Sequence, residues 1–282
     1  MTHLSADTRP PPTGPRLAGI ATLLSRPKLI AVGCMIVLIG AGWAYLLSVS
    51  LAQGLPGAPG FLDAMCRAVP AGSAGTIGSV AITGAMWIAM TLSMMLPTAG
   101  PMILTYAEIA ETAACRGEPI VSPHVLIAGY LTVWFGFAGL ATLAQLGVMW
   151  IGTWPGASAV AAPASALLFL VAGLYQFTSM KHACLTACQR PFSYFFLNWT
   201  DRQAGVFRLG MRQGLYCLGC CWAMMLLMFV AGAMNAAWMA LLGLVMLIEK
   251  MTSSPHVSRA IGIAFTAAAL TVAAAWASGF TL

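Results

Sequence analysis

The sequence predicts an all-helical, polytopic transmembrane bundle of about seven spans with its N-terminus in the cytoplasm. Three observations carry that reading. Of 282 residues, 60% are hydrophobic and only 7% charged, with a mean hydropathy of +0.87. Apolar runs of the length needed to cross a hydrocarbon core, about 17 to 25 residues, recur along the chain. The basic residues fall almost entirely on one side of those runs. A water-soluble domain carries about a quarter charged residues, so a soluble enzyme is excluded, as is a disordered or collagen-like chain.

The elements follow in order. Residues 1–28, with Pro10, Pro11, Pro12 and Pro15, read as a flexible cytoplasmic tail, and residues 29–282 as a single transmembrane domain. The first span, 28–50, is longer than the core of a cleavable signal sequence, about 7 to 15 residues, and so reads as a retained helix. The further spans are 77–104, 125–151, 162–180, 209–231, 237–249 and 257–280, the sixth being short. With the N-terminus inside, the cytoplasmic side holds Arg9, Arg16, Arg26, Lys28, Arg116, Lys181, Arg190, Arg202, Arg208, Arg212, Lys250 and Arg259. Only Arg67, in a loop with Asp63 and Cys66, is left outside, and this asymmetry is the positive-inside signal. Trp150 and Trp154 suit an interfacial aromatic belt. The net charge of +6 is spread too thinly for a nucleic-acid partner; the partner this composition implies is the lipid bilayer.

Helix-compatible sequence around the second span runs from Thr76 to Ala114, about 58 Å at 1.5 Å per residue. Pro97, Gly100 and Pro101 fall in its middle, where missing amides and proline rings are expected to kink or break it. Met86, Met90 and Met94 share one face of it, with Met95 and Met102 nearby. A methionine stripe ordinarily fills gaps between helices, but thioethers also suit Cu(I). Glu108 and Glu111, near the inner end, suit interfacial solvation.

Eight cysteines are present, five of them between Cys184 and Cys221. Cys184 and Cys188 lie in a cytoplasmic segment, 181–208, and Met180, Cys184 and Cys188 repeat every four residues, one helical stripe that Pro191 ends. Within the fifth span, Cys217, Cys220, Cys221, Met224, Met225 and Met228 fall in an arc of about 140°. Beside Lys181, Arg208 and Arg212 the compartment is reducing, which disfavours disulfides. A lone thiol such as Cys34 reads as a small apolar filler, whereas five in one neighbourhood read as soft-metal donors. Thiolates and thioethers suit Cu(I), Zn(II) or an iron–sulfur cluster. Zinc asks for four Cys or His donors closing a tetrahedron, and His182 with Cys184, Cys188 and one later cysteine meets that count. A vertical offset of roughly 7 Å between Cys184 and Cys217 favours instead a series of two- or three-coordinate sites holding copper as Cu(I). Gly210-x-x-x-Gly214 reads as a helix-packing motif.

The blocks Met94-Met95-Leu96-Pro97 to Pro101, Tyr175-Gln176 to Lys181 with Cys184 and Cys188, and Gly210 to Trp222 resemble a bacterial family of predicted metal-binding integral membrane proteins, formerly a domain of unknown function. The resemblance runs from about Trp87 to Lys250. It implies a bacterial inner-membrane protein, and some relatives are associated with copper enzymes such as tyrosinases. By matching motif it makes Cys184, Cys188, Cys217, Cys220 and Cys221 the expected ligands, with the Met94 and Pro97 block structural or metal-facing. His182 and Met180 join that set from their spacing.

No phosphate-binding loop, nucleophile elbow or zinc-hydrolase histidine pair is present, and His3, His124, His182 and His256 are too scattered to hold a haem. No catalytic residue is therefore assigned. Three functions remain: a Cu(I)-binding membrane protein holding or delivering copper to a partner copper enzyme; a membrane oxidoreductase using the Cys217-x-x-Cys220 pair or a metal centre; and a non-catalytic subunit packed against other membrane subunits.

Overall fold

A computed structural model describes residues 27–52, 77–117, 119–152, 157–230 and 236–278. Among them every regular element is helical. These are α1 (Pro27–Ala52), α2 (Ile77–Cys115), α3 (Pro123–Gly152), α4 (Ala157–Tyr175), α5 (Ser179–Gln189), α6 (Pro191–Leu197), α7 (Gln203–Leu226, ending in a 3-10 turn), α8 (Ala236–Met251) and α9 (Pro255–Ala277). The tail through residue 26, the loop carrying Asp63, Cys66 and Arg67, and Trp154 lie outside the described residues.

Four helices are long and apolar enough to cross a membrane: α2, α3, α7 with its terminal turn, and α9. A fifth crossing results if α4 and α5, bent by 65° at the break between them, act together. The part of α1 from Val32 to Ser48 is a shorter apolar helix, and α8 has 16 residues.

Two sequence expectations are corrected. The fourth span does not run through to residue 180; it stops at Tyr175, and the chain restarts as α5 with Thr178 as its N-cap, the hydroxyl accepting from the Lys181 amide. The segment 181–208 that follows is largely helical, and α5 and α6 pack back onto the bundle. Pro97 and Pro101 lie inside α2, which runs through both as one helix of 39 residues. Each proline deprives the carbonyl four residues earlier, Ser93 O and Pro97 O, of its helical donor. Nearby, Tyr130 and Thr98 both donate to Met95 O, and Thr105 donates to Pro101 O. Second, Lys181 and Lys250 are not loop cations; both are buried in the bundle.

α7 lies at the centre, against α3, α5 and α4. Its contact with α3 is backbone on backbone. A Cβ at Gly210 would fall 2.1 Å from Leu126 O, and one at Gly129 would fall 2.1 Å from Phe207 O. Gly210 and Gly214 therefore serve the packing role that their spacing predicts. Met86, Met90, Met94, Met95 and Met102 of α2 are all buried. They share the core with Trp87, whose indole donates to Gln145 Oε1 at 2.6 Å.

Candidate metal centre

The close α3–α7 approach carries Tyr130 to the face of α7 on which Cys217, Cys220 and Cys221 point inward, and all three thiols are buried. Cys220 Sγ lies 3.3 Å from Cys221 Sγ and donates to Cys217 O at 3.1 Å. Cys217 lies one turn before both on the same inward face. Its sulfur also meets the Tyr130 hydroxyl at 3.0 Å and accepts from Lys250 Nζ at 2.8 Å, while the same ammonium donates to Thr98 Oγ1 at 2.9 Å. A buried ammonium requires a compensating partner. Its neighbouring carboxylate, Glu249, is already engaged by Lys181 and Ser258, so the thiol cluster is the electronegative surface that Lys250 faces.

The second stripe arrives on α5. Cys188, half-buried, shares a small cavity with Cys217. Cys184, one turn earlier, packs its sulfur on the bare backbone of Gly219, where a Cβ would come within 2.7 Å of it. The Tyr175 hydroxyl donates to Gly219 O from the end of α4 and fixes the same junction. Between these walls is a cavity of about 10 Å³, lined by Thr98, Met102, Tyr130, Cys188, Gln213, Cys217 and Lys250 among others. That is room for about one water or one small ion. The Gln213 amide nitrogen, which is buried, has no hydrogen-bond partner, so the cavity wall already holds one unsatisfied polar atom.

Of the residues singled out from the sequence, the structure thus brings together Cys188, Cys217, Cys220 and Cys221, with Cys184 against the adjoining backbone. It does not gather the rest. Met180 is 61% exposed at the start of α5, His182 is half-buried, and Met94 is buried against Gly243 of α8. Cys34, read as a lone filler, is exposed with its sulfur 3.8 Å from His124 Nε2. Among the described residues no group of three or more His, Cys, Asp or Glu side chains is disposed to hold a metal ion as it stands. The thiols meet pairwise, and Cys217 is occupied by an ammonium.

Sequence reasoning missed Lys250, Tyr130, Thr98 and Gln213. For Lys250 a signal existed: an ionisable pair, Glu249-Lys250, at the end of an apolar helix is a functional hypothesis in a membrane protein, but charge counting assigned it to a loop.

The fold and this cluster define a membrane-type helical protein with buried soft donors. The family described as PpoB2, copper chaperone, matches residues 84–272, and the chain belongs to that family. No curated protein and no solved structure matches it. This is therefore a copper-related membrane protein, and the matched stretch contains every residue of the cluster just described.

Proposed function

We propose that this chain holds copper as Cu(I) on cysteine thiolates between α5 and α7 and passes it to a partner copper enzyme. Copper is its cargo, not a resident cofactor. The observation that carries this reading is the burial of Cys217, Cys220 and Cys221 together on α7, with Cys188 of α5 on the cavity beside Cys217, inside the stretch that matches the copper chaperone family. Soft thiolates favour Cu(I) over hard cations. Pairs of sulfurs suit a low-coordinate ion better than the four-donor cage that structural zinc demands.

On this reading the donors form a short path. Cys184 and Cys188 are half-buried and receive or release the ion, while Cys217, Cys220 and Cys221 are buried and hold it away from water. Exchange proceeds by one thiolate entering as another leaves, so the ion is never without a sulfur. The same proposal includes the finer topology: seven spans in a bacterial inner membrane, the N-terminus and the 181–208 segment cytoplasmic, and residues 29–282 acting as one domain. Met180, His182 and Met94 would then belong to the approach to the site and not to the buried thiols.

The test is elemental analysis of protein purified anaerobically after growth in copper, with X-ray absorption to read oxidation state and ligand type. Cu(I) with sulfur ligands is expected, and a Cys217, Cys220 and Cys221 to Ser variant should lose it. Equal and negligible copper in both proteins would overturn the reading.

A further inference from the structure

Lys250 is the residue at this site whose presence soft-ligand chemistry alone does not explain. Its ammonium lies 2.8 Å from Cys217 Sγ and 2.9 Å from Thr98 Oγ1, with Tyr130 closing the far side of the same sulfur. The adjacent carboxylate faces a different lysine. Burying a full positive charge beside thiols is costly unless the occupied site carries a matching negative one.

We infer that Lys250 is the fixed counter-charge of a bis-thiolate copper(I) complex on Cys217 and Cys221, and thereby sets the preference of the site for a monovalent soft ion over a divalent one. The inference rests on the copper reading above. Two thiolates and one Cu(I) leave one net negative charge, which the Lys250 ammonium balances. The same two thiolates with Zn(II) are already neutral, so the ammonium leaves one uncompensated positive charge in a buried, low-dielectric place. The difference between the ions is therefore a whole buried charge, the term that weighs most away from water. Cys217 and Cys221 are one helical turn apart on the same face of α7, and both are buried. Thr98 holds the ammonium from the proline-containing stretch of α2, so that stretch acts as the positioning wall of the site.

The test compares the wild type, Lys250→Gln and Lys250→Arg, purified in detergent, by competition titration with Cu(I) under anaerobic conditions and separately with Zn(II). Gln keeps a donor near Cys217 and Thr98 but removes the charge. Its Cu(I) affinity should fall on the order of a hundredfold while its Zn(II) affinity holds or rises. Arg should keep the preference for Cu(I). A Gln variant binding Cu(I) within threefold of wild type overturns the inference and leaves the copper reading standing. So does an equal loss of both metals, which marks Lys250 as structural. Should the Gln variant fail to fold, an Arg variant that prefers Zn(II) overturns it equally. A wild type that takes up no Cu(I) removes the copper reading and this inference with it.

Discussion

Lys181 Nζ lies 2.8 Å from Glu249 Oε2, with the two side chains 1% and 2% exposed. The other carboxylate oxygen accepts from Ser258 Oγ at 2.6 Å. The pair thus joins the start of α5, the end of α8 and the first turn of α9. Gln189 reinforces it by donating to Glu249 O and Thr252 O. α5 carries Cys184 and Cys188, so this ion pair ties the helix that bears the outer half of the thiol cluster to α8 and α9.

Removing one partner strands a charge in the bundle. Glu249→Gln should lower stability by about 3 to 5 kcal/mol, whereas Lys181→Met with Glu249→Leu should recover most of that loss, since an apolar pair of similar size carries no desolvation penalty. Denaturant unfolding in detergent, run as a double-mutant cycle, measures the coupling directly. Near-additive single and double effects would show that the pair is not what ties α5 down.

Burial divides the cysteines into classes that a labelling reagent can read. Cys115 is exposed, Cys184 and Cys188 are half-buried, and Cys217, Cys220 and Cys221 are buried. In a Cys34 and Cys66 to Ser background, a membrane-permeant maleimide should modify Cys115 first and the α5 pair more slowly. The α7 trio should react only after denaturation. Prior loading with Cu(I) should slow Cys188 further without affecting Cys115. Mass spectrometry of peptides over a time course distinguishes the classes, and rapid native modification of Cys217 would contradict the described packing.

How far the site was legible can be argued residue by residue. The inward face of α7 was readable because 100° rotation is a local rule, and Cys217, Cys220, Cys221, Met224, Met225 and Met228 are buried as that rule requires. The Gly210 and Gly214 contact was readable for the same reason, small residues at one-turn spacing. The partners of Lys181 and Lys250 were not, because a lysine at the end of an apolar run looks the same whether it reaches water or a buried group. What decides is a carboxylate 68 positions away or a thiol 33 positions away. The break after Tyr175 carries no proline to announce it. At Pro97 and Pro101 the local breaker signal was readable, but not that the helix continues through both prolines as one element.

The α3–α7 contact makes a steric prediction. A methyl at Gly210 would collide with a backbone carbonyl at 2.1 Å, while one at Gly214 would meet the Val133 side chain and Tyr130 O at 3.0 to 3.1 Å. Backbone cannot rotate away as a side chain can, so Gly210→Ala should cost about 1 to 3 kcal/mol and Gly214→Ala clearly less. Because separating α3 from α7 also withdraws Tyr130 from Cys217, copper retention should fall in the same order. Melting temperature and bound copper, measured on both variants, check the two halves of the claim; equal effects at the two positions would refute it.

Gly219 offers a way to disturb the thiol cluster without disturbing the bundle. A Cβ there would approach Cys184 Sγ to 2.7 Å and Cys184 Cβ to 3.5 Å, and nothing in the backbone. The obstructing atom is the end of a short side chain that can turn to another rotamer. Gly219→Ala also gains helix propensity, about 0.8 to 1.0 kcal/mol for Gly against Ala, which offsets part of the rotamer cost. Stability should therefore change by less than about 1 kcal/mol. The displaced thiol of Cys184, in contrast, no longer lies along α7, and transfer of Cu(I) between the α5 and α7 sulfurs should slow several-fold. Stopped-flow capture of copper by an external chelator, with unfolding measured on the same preparation, separates the outcomes. Unchanged transfer with unchanged stability would remove Cys184 from the copper path and leave Cys188 as the α5 donor.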